Sequence, residues 1–379
     1  MREIHTVFDY VDWRGDLTFA QDPFNEVDSV ILSMVCFLDF SEIVPGPHES
    51  GSITLRDAMA QMPREFEGER RLGAILPDDI LYMSHLAAES VRYGDAELFA
   101  FENTIDEEKE MQFGALTFRL SDGSLFAAFR GTDDTIVGWK EDFNMTFRES
   151  IPAQLLAAQY TKEISERYPM HLYMGGHSKG GNLAVYSAVK SDALIRSRIQ
   201  AVYNHDGPGF TDFVMEDPAY LEMVPRISTI IPQSSVIGML LEHREPYTVV
   251  KSKQMGLLQH DFYSWLLEGP EFVPMEEVTD QSKFLDLTIK EWLNGMTIEE
   301  RNEIVDTVFD LLSIGNVSSV FDLIHPKNVR TYLKTLTTNG ELRRILSEEF
   351  MSLIEAARKT QMTLEGKDLQ SPGLPDVMV

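Results

Sequence analysis

Leu172-Tyr-Met-Gly-Gly-His-Ser178-Lys-Gly-Gly-Asn-Leu-Ala184 is the stretch on which the reading of this chain turns. An apolar run, His171 to Met174, leads into Gly176-His177-Ser178-Lys179-Gly180, and a helix-forming run, Asn182 to Val189, leaves it. A G-x-S-x-G pentapeptide alone is a weak signal, but between a strand and a helix it acquires a physical meaning. The backbones of strand and helix approach closely at such a corner, so the positions two before and two after the serine must be small. The serine is forced into an unfavourable backbone conformation that costs about 1–3 kcal/mol. Its hydroxyl is thereby presented at the start of a helix whose free N–H groups favour a developing negative charge. Ser178 is the candidate nucleophile. The rival reading, a phosphate-cradling turn, lacks the G-K-[ST] ending of a P-loop and the G-x-G-x-x-G of a dinucleotide fold.

Working outward, Met111 to Leu120 and Leu125 to Arg130 flank Ser121-Asp122-Gly123 and predict a hairpin. A helical stretch from Ile151 to Tyr168 precedes the strand before Ser178, and further strands are expected at Ile199 to Tyr203, Arg226 to Ile231 and Tyr247 to Lys251. Strands interleaved with helices imply crossover units, hence an α/β fold with a mostly parallel sheet flanked by helices. Residues 76–275 form this core. Residues 1–75 read as a covering segment, with an apolar run from Val27 to Phe40 stopped by Pro45, Gly46 and Pro47. The core opens with a helix from Asp78, striped by Ile80, Met83, Ala87 and Val91 and ended by Gly94. From 280 to 365 the pattern is a helical C-terminal appendage. Thr297 and Glu300 make a capping box before the stripe Val305, Val308, Phe309 and Leu312, and a second stripe is Leu346, Phe350, Leu353 and Ile354. Residues 366–379 are a tail, frayed from Ser371.

Of 379 residues, 43% are hydrophobic and 25% charged, a profile that excludes disordered and collagen-like chains. Lys and Arg number 33 against 61 Asp and Glu, so the formal charge is −28, which makes nucleic acid a poor partner. Cys36 is the only cysteine, lies in an apolar run and can form no internal disulfide, so a reducing, cytoplasmic location is expected. The most apolar uncharged stretch, Ile227 to Leu241, is 15 residues long and interrupted by Pro232, short of the roughly 20 a membrane span needs. No secretory signal is read at the amino terminus. No metal motif is present, and the aspartates Asp9, Asp12 and Asp16 lack calcium-loop spacing and read as solvated turns. No cofactor is expected.

Upstream of Ser178 lies Phe129-Arg-Gly-Thr132, a strand end that offers a backbone N–H and a hydroxyl at the carboxyl edge of the sheet, followed by Trp139 and Asp142 at W-x-x-D spacing. Phe-Arg-Gly-Thr, W-x-x-D and then G-H-S-x-G together resemble the class 3 lipases of the α/β-hydrolase superfamily. The acidic chain with Asp206-Gly-Pro-Gly-Phe resembles their bacterial Mbeg1-like branch. The likeness spans roughly Met111 to Trp265. It implies that the backbone N–H groups of Thr132 and Lys179 form an oxyanion hole.

The hydrolase order is serine, acid, histidine, which leaves His205, His243, His260 and His325 as candidate bases. His325 precedes a proline in the helical region and reads as a surface cap; His205 leaves no room for an acid before it. His260, in the segment Leu257 to Trp265, falls in the expected loop and is preferred, with His243 as runner-up. In class 3 lipases the acid follows the strand after the one that ends here near Tyr203. That place reads Ile231-Pro-Gln-Ser-Ser-Val, with no carboxylate until Glu242. Asp206, one strand earlier, is the preferred substitute, with Glu242 and Asp261 as alternatives; the requirement is only that a carboxylate hold the imidazole tautomer and stabilise its cation. The expected activity is hydrolysis of a lipid or other acyl ester through Ser178, His260 and Asp206. The alternative is a hydrolase fold kept as a binding scaffold, which the empty family position for the acid favours.

Overall fold

The Asp122 carboxylate accepts hydrogen bonds from the Ser124 backbone N–H (2.9 Å) and hydroxyl (2.6 Å), and Gly123 takes φ 86°, so the chain reverses where the sequence predicts a hairpin. The computed structural model describes residues 5–64, 77–133, 135–312 and 326–366. In chain order the strands are β1 (Ile53–Thr54), β2 (Glu97–Asp106), β3 (Met111–Arg119), β4 (Leu125–Phe129), β5 (Leu172–His177), β6 (Ile199–His205), β7 (Ile227–Pro232), β8 (Tyr247–Val250), β9 (Leu267–Glu268), β10 (Glu271–Phe272) and β11 (Pro274–Met275). Nine of them form one sheet in the order β1-β2-β3-β4-β5-β6-β7-β8-β11. Strands β4 to β8 pair in parallel, as the interleaved pattern implies. An antiparallel meander, β1 to β4, extends one side and β11 closes the other. Strand β2 is absent from the sequence reading for a physical reason. A bulge between Phe99 and Glu102, with Ala100 at φ 54°, breaks the alternation that would announce it.

The helices are α1 (Val7–Arg14), α2 (Glu26–Val35), α3 (Leu55–Met59), α4 (Pro77–Glu89), α5 (Ile136–Asn144), α6 (Pro152–Arg167), α7 (Lys179–Lys190), α8 (Ala193–Arg196), α9 (Asp212–Met215), α10 (Pro218–Met223), α11 (Asp280–Asn294) and α12 (Ile298–Leu312), followed by Pro326–Thr338 and Gly340–Leu364. Alternate residues of β4 serve different layers. Phe126 and Ala128 join the core made with α1, α2 and α4, whereas Leu125, Ala127 and Phe129 join that of α6 and α7. Covered on both faces, the sheet is the centre of a three-layer α/β fold, and helices follow it toward the carboxyl terminus. The amino-terminal layer is pinned by a buried cluster: Arg92 donates to both oxygens of Asp28 (2.7 and 2.6 Å) and the Tyr93 hydroxyl donates to the same carboxylate (2.6 Å).

Three local expectations need correction. Helix α4 ends at Glu89, before Val91, which is exposed, while Ile80, Met83 and Ala87 are buried. Asp9 and Asp12 lie in helix α1 and not in turns, Asp9 closing a capping box on Thr6. The stripe Leu346, Phe350, Leu353 and Ile354 is not the buried face of the last helix: Phe350 and Ile354 are exposed, and Leu342, Ala356 and Thr360 are buried instead. The Thr297–Glu300 capping box forms, and Val305 and Phe309 of α12 pack with Ile136 and Phe147 around α5. His325 and the segment 371–379 lie outside the described residues.

Candidate active site

Strand β5 and helix α7 meet at Ser178, whose φ of 58° and ψ of −132° place a residue bearing a side chain in a backbone region that disfavours one. The glycines permit the corner. A Cβ on Gly176 would lie 2.4 Å from the Gly180 carbonyl carbon, and one on Gly180 would lie 2.1 Å from the Phe129 carbonyl oxygen. The Ser178 N–H donates to the His205 carbonyl at 2.9 Å, which fixes the corner to β6. Ser178 is half-buried between buried neighbours, and its hydroxyl makes no hydrogen bond to any described residue.

Strand β6 runs to His205, two residues past its expected end, and delivers Asp206 to the same edge of the sheet with φ 51°. The His260 Nδ1–H donates to Asp206 Oδ2 at 2.6 Å. Bonded to a carboxylate at Nδ1, the ring leaves Nε2 without a partner among the described residues, and the side chain is 16% exposed. The other carboxylate oxygen, Oδ1, accepts the Ser235 hydroxyl (2.5 Å) and the Gly238 N–H (3.2 Å). Both donors belong to the loop after β7, where class 3 lipases would place the acid. In this chain that loop carries no carboxylate before Glu242 and supplies two donors to Asp206. Helix α11 braces the loop: the Thr279 N–H donates to the Gln233 carbonyl (2.7 Å), and the Ser282 hydroxyl donates to that of Ser235.

The 3₁₀ turn carrying His260 is tied to the corner by His177, whose Nε2–H donates to the His260 carbonyl at 2.7 Å; the two imidazole centroids are 4.3 Å apart. Burial pushes His177 well below the usual histidine range, with the neighbouring His260 and His205 acting in the same direction, and burial pushes His205 down to about 3. Both rings are therefore neutral at physiological pH.

Thr132 approaches from the end of β4. A Cβ on the preceding Gly131 would stand 3.3 Å from the Ser178 Cβ. Among the described residues, neither the Thr132 N–H nor the Lys179 N–H has a hydrogen-bond acceptor, so two donors beside Ser178 are unspent. The Thr132 hydroxyl donates to Asp142 at 2.6 Å. The Lys179 ammonium is buried and donates to Glu141 (2.9 Å) and to the carbonyl (3.1 Å) and side-chain oxygen (2.8 Å) of Gln112; it lies 3.7 Å from Asp142. Burial opposes the charge of Lys179, but Glu141 and Asp142 outweigh it and raise the ammonium above the usual lysine range. Burial pushes the Asp142 carboxyl up to about 6 against the opposing pull of Lys179 and the Thr132 hydroxyl.

The alternatives stand elsewhere. Glu242 is exposed and pairs with Lys290 at 3.0 Å, and Asp261 caps the short turn after His260 through the Tyr263 N–H (3.0 Å). His243 bonds Glu245 and the Gly238 carbonyl, and His205 is sealed in the core. Ser235, Gly238, Glu141 and the ring of His177 were not singled out by the sequence. Only His177 had a signal, its place beside the serine. Among the described residues no group of three or more His, Cys, Asp or Glu side chains could hold a metal ion, and no helix is long and apolar enough to cross a membrane.

Residues 87–310 match the model of the Mbeg1-like family. The chain belongs to the Mbeg1-like family. No curated protein matches it in sequence. Solved structures similar to this Mbeg1-like chain include the native Rhizomucor miehei lipase propeptide complex (16% identity, TM-score 0.34, 51% of this chain and 65% of that one). The match thus spans just under two thirds of that lipase. Lipase II from Rhizopus niveus is 11% identical with TM-score 0.30, over 42% of this chain and 68% of that one. M37 lipase is 12% identical with TM-score 0.36, over 58% and 70%.

Proposed function

We propose that the protein is a serine hydrolase of carboxylic ester-like bonds, acting on a lipid or other acyl ester in the cytoplasm. The observation that carries this reading is the 2.6 Å contact from His260 Nδ1–H to Asp206, made on the turn tied to the strained corner at Ser178. A histidine so held offers Nε2 as a base. The Ser178 Oγ attacks the ester carbonyl carbon while its proton passes to His260 Nε2, and Asp206 stabilises the imidazolium that forms. The carbonyl oxygen, now carrying the negative charge, is received by the Thr132 and Lys179 N–H groups, reinforced by the amino-terminal end of α7. Collapse breaks the bond to the alcohol, which leaves with the proton from Nε2; water then repeats the sequence on the acyl-serine. The neutral rings of His177 and His205 place no second cation beside the imidazolium. The acidic surface of the chain, at −28, helps expel a carboxylate product. The bond between Asp206 and His260 supports this reading over a scaffold, since it supplies a carboxylate where the family position for the acid is empty.

The test is turnover of p-nitrophenyl esters of graded acyl length by wild type, Ser178→Ala and Asp206→Asn. The reading expects turnover in wild type, none above background in Ser178→Ala, and kcat reduced by about 10⁴ in Asp206→Asn, the loss typical when the tautomer-holding carboxylate is neutralised. Equal background rates in all three would reject it.

A further inference from the structure

Behind Asp206 stands a second buried histidine–carboxylate pair that the chemistry above does not use. The His243 Nδ1–H donates to Glu245 Oε1 at 3.1 Å and the Nε2–H donates to the Gly238 carbonyl at 2.9 Å. Both ring nitrogens thus face acceptors, an arrangement that only the doubly protonated ring satisfies in full. The pair is nearly sealed, with 6% of the His243 side chain exposed and none of Glu245. Glu245 is itself anchored, accepting the Thr229 hydroxyl (2.6 Å) on Oε1 and the Tyr220 hydroxyl (2.8 Å) on Oε2. Burial opposes its charge, but His243 and Thr229 prevail and hold the carboxyl below the usual range.

The other end of this chain of contacts is the candidate acid. Gly238 receives His243 at its carbonyl and donates its own N–H to Asp206 Oδ1. The same N–H is shared with the Ser235 hydroxyl (3.1 Å), which also donates to Asp206. A Cβ on Gly238 would fall 2.3 Å from Asp206 Oδ1, so the backbone is pressed against the carboxylate with no slack. Thr229 is one residue from Ile230, whose carbonyl accepts the Asp206 N–H at 2.8 Å. Glu245 is thus linked to Asp206 through His243 and Gly238 and, along β7, through Thr229 and its neighbour Ile230. Other charged groups on this side are Lys290, bonded to Glu242 (3.0 Å) and Asp286 (3.2 Å); the Tyr247 ring lies 6.5 Å from that of His243.

We propose that His243 and Glu245 are positioning residues that set the orientation of Asp206, and through it His260, by holding Gly238 against the Asp206 carboxylate. A carboxylate misaimed by a fraction of an ångström loses its directional bond to the imidazole, and a supporting contact of this kind is what prevents it. The idea rests on the hydrolase reading for its kinetic arm only. In His243→Leu, kcat falls about tenfold with KM unchanged, and the low-field Nδ1–H resonance of His260 shifts or broadens. In His243→Gln, which retains a side-chain N–H for the Gly238 carbonyl, the resonance and most of kcat return. A folded His243→Leu protein with wild-type resonance and kcat overturns the proposal, as do Leu and Gln variants that lose equally. Should the Leu variant fail to fold, histidine-selective ¹⁵N spectra of wild type decide. Movement of the His260 Nδ1–H resonance in step with the titration of His243 supports the coupling, and independence overturns it. Absence of ester turnover in wild type defeats the hydrolase reading alone, since the spectra still answer for His243.

Discussion

Replacing Lys179 by methionine separates the charge of this residue from its backbone N–H. The ammonium and Glu141 are both fully buried, 2.9 Å apart, and Glu141 also accepts the backbone N–H groups of Gln112 (3.1 Å) and Ala153 (2.9 Å). Methionine fills the space of the lysine stem but leaves the Glu141 charge uncompensated, a loss of about 3–5 kcal/mol for a broken buried pair. Against a total stability of about 5–15 kcal/mol that is a large fraction. Neutralising the survivor in Lys179→Met/Glu141→Gln restores about 1–3 kcal/mol, because the amide oxygen still accepts one backbone donor and the Glu141 charge is gone. Urea unfolding followed by circular dichroism measures all three proteins, with a lowered midpoint and an unchanged slope as the expected signature. The Lys179 N–H survives the substitution, so ester turnover per folded molecule falls far less than stability. A single variant that loses less than about 1 kcal/mol, or a double variant less stable than the single, refutes the argument that the pair is a dry, mutually dependent unit.

Other perturbations probe the site from different sides. Gly238→Ala forces a methyl to within 2.3 Å of Asp206 Oδ1 and 2.6 Å of Ile231 Cγ2; ester turnover drops at least tenfold, and turnover equal to wild type shows that the carboxylate can move freely. In Thr132→Val the 2.6 Å bond to Asp142 is lost while the backbone N–H remains. The kcat should fall about tenfold, less than the 10² to 10³ lost with an oxyanion donor itself, and an unchanged kcat shows that the hydroxyl does not orient the strand end. His205, pushed down to about 3 by burial, binds its proton later than in the unfolded chain. Between pH 6.5 and about 3 the unfolded state holds the extra proton, so stability falls on acidification by about 1.4 kcal/mol per pH unit from this group. Urea midpoints for His205→Leu should vary less steeply with pH across that window than those of wild type; equal slopes contradict the assignment.

How much of this was legible in the letters depends on how local each signal is. The corner at Ser178 is written in glycines two residues either side, because the contacts that exclude larger side chains are made within one turn. The parallel strands from β4 to β8 are written in apolar runs alternating with helices. Strand β2 was hidden by its bulge, and the outward turn of Phe350 and Ile354 by a helix whose buried face is set by its neighbours and not by its most apolar stripe. Asp206 is legible because it follows the strand expected to end near Tyr203 and precedes Gly-Pro-Gly, but nothing in Ser235 or Gly238 announces that the next loop returns to bond it. The burial of the Lys179 ammonium has no local signal, since its partner Glu141 lies 38 positions away and only the fold brings them together. Sequence exposes requirements met within a few residues; partners supplied by a distant loop become visible only in space.

The proposed chemistry stands or falls with Ser178 as a nucleophile driven by His260. Its most direct measurement is intact-mass spectrometry after incubation with a fluorophosphonate, which adds one phosphonyl group to an activated serine and little to an ordinary one. A nucleophilic Ser178 gives a single adduct, mapped by peptide sequencing to Ser178, absent in Ser178→Ala and much slowed in His260→Ala. An unmodified wild-type mass at neutral pH, or an adduct on any other residue, contradicts it.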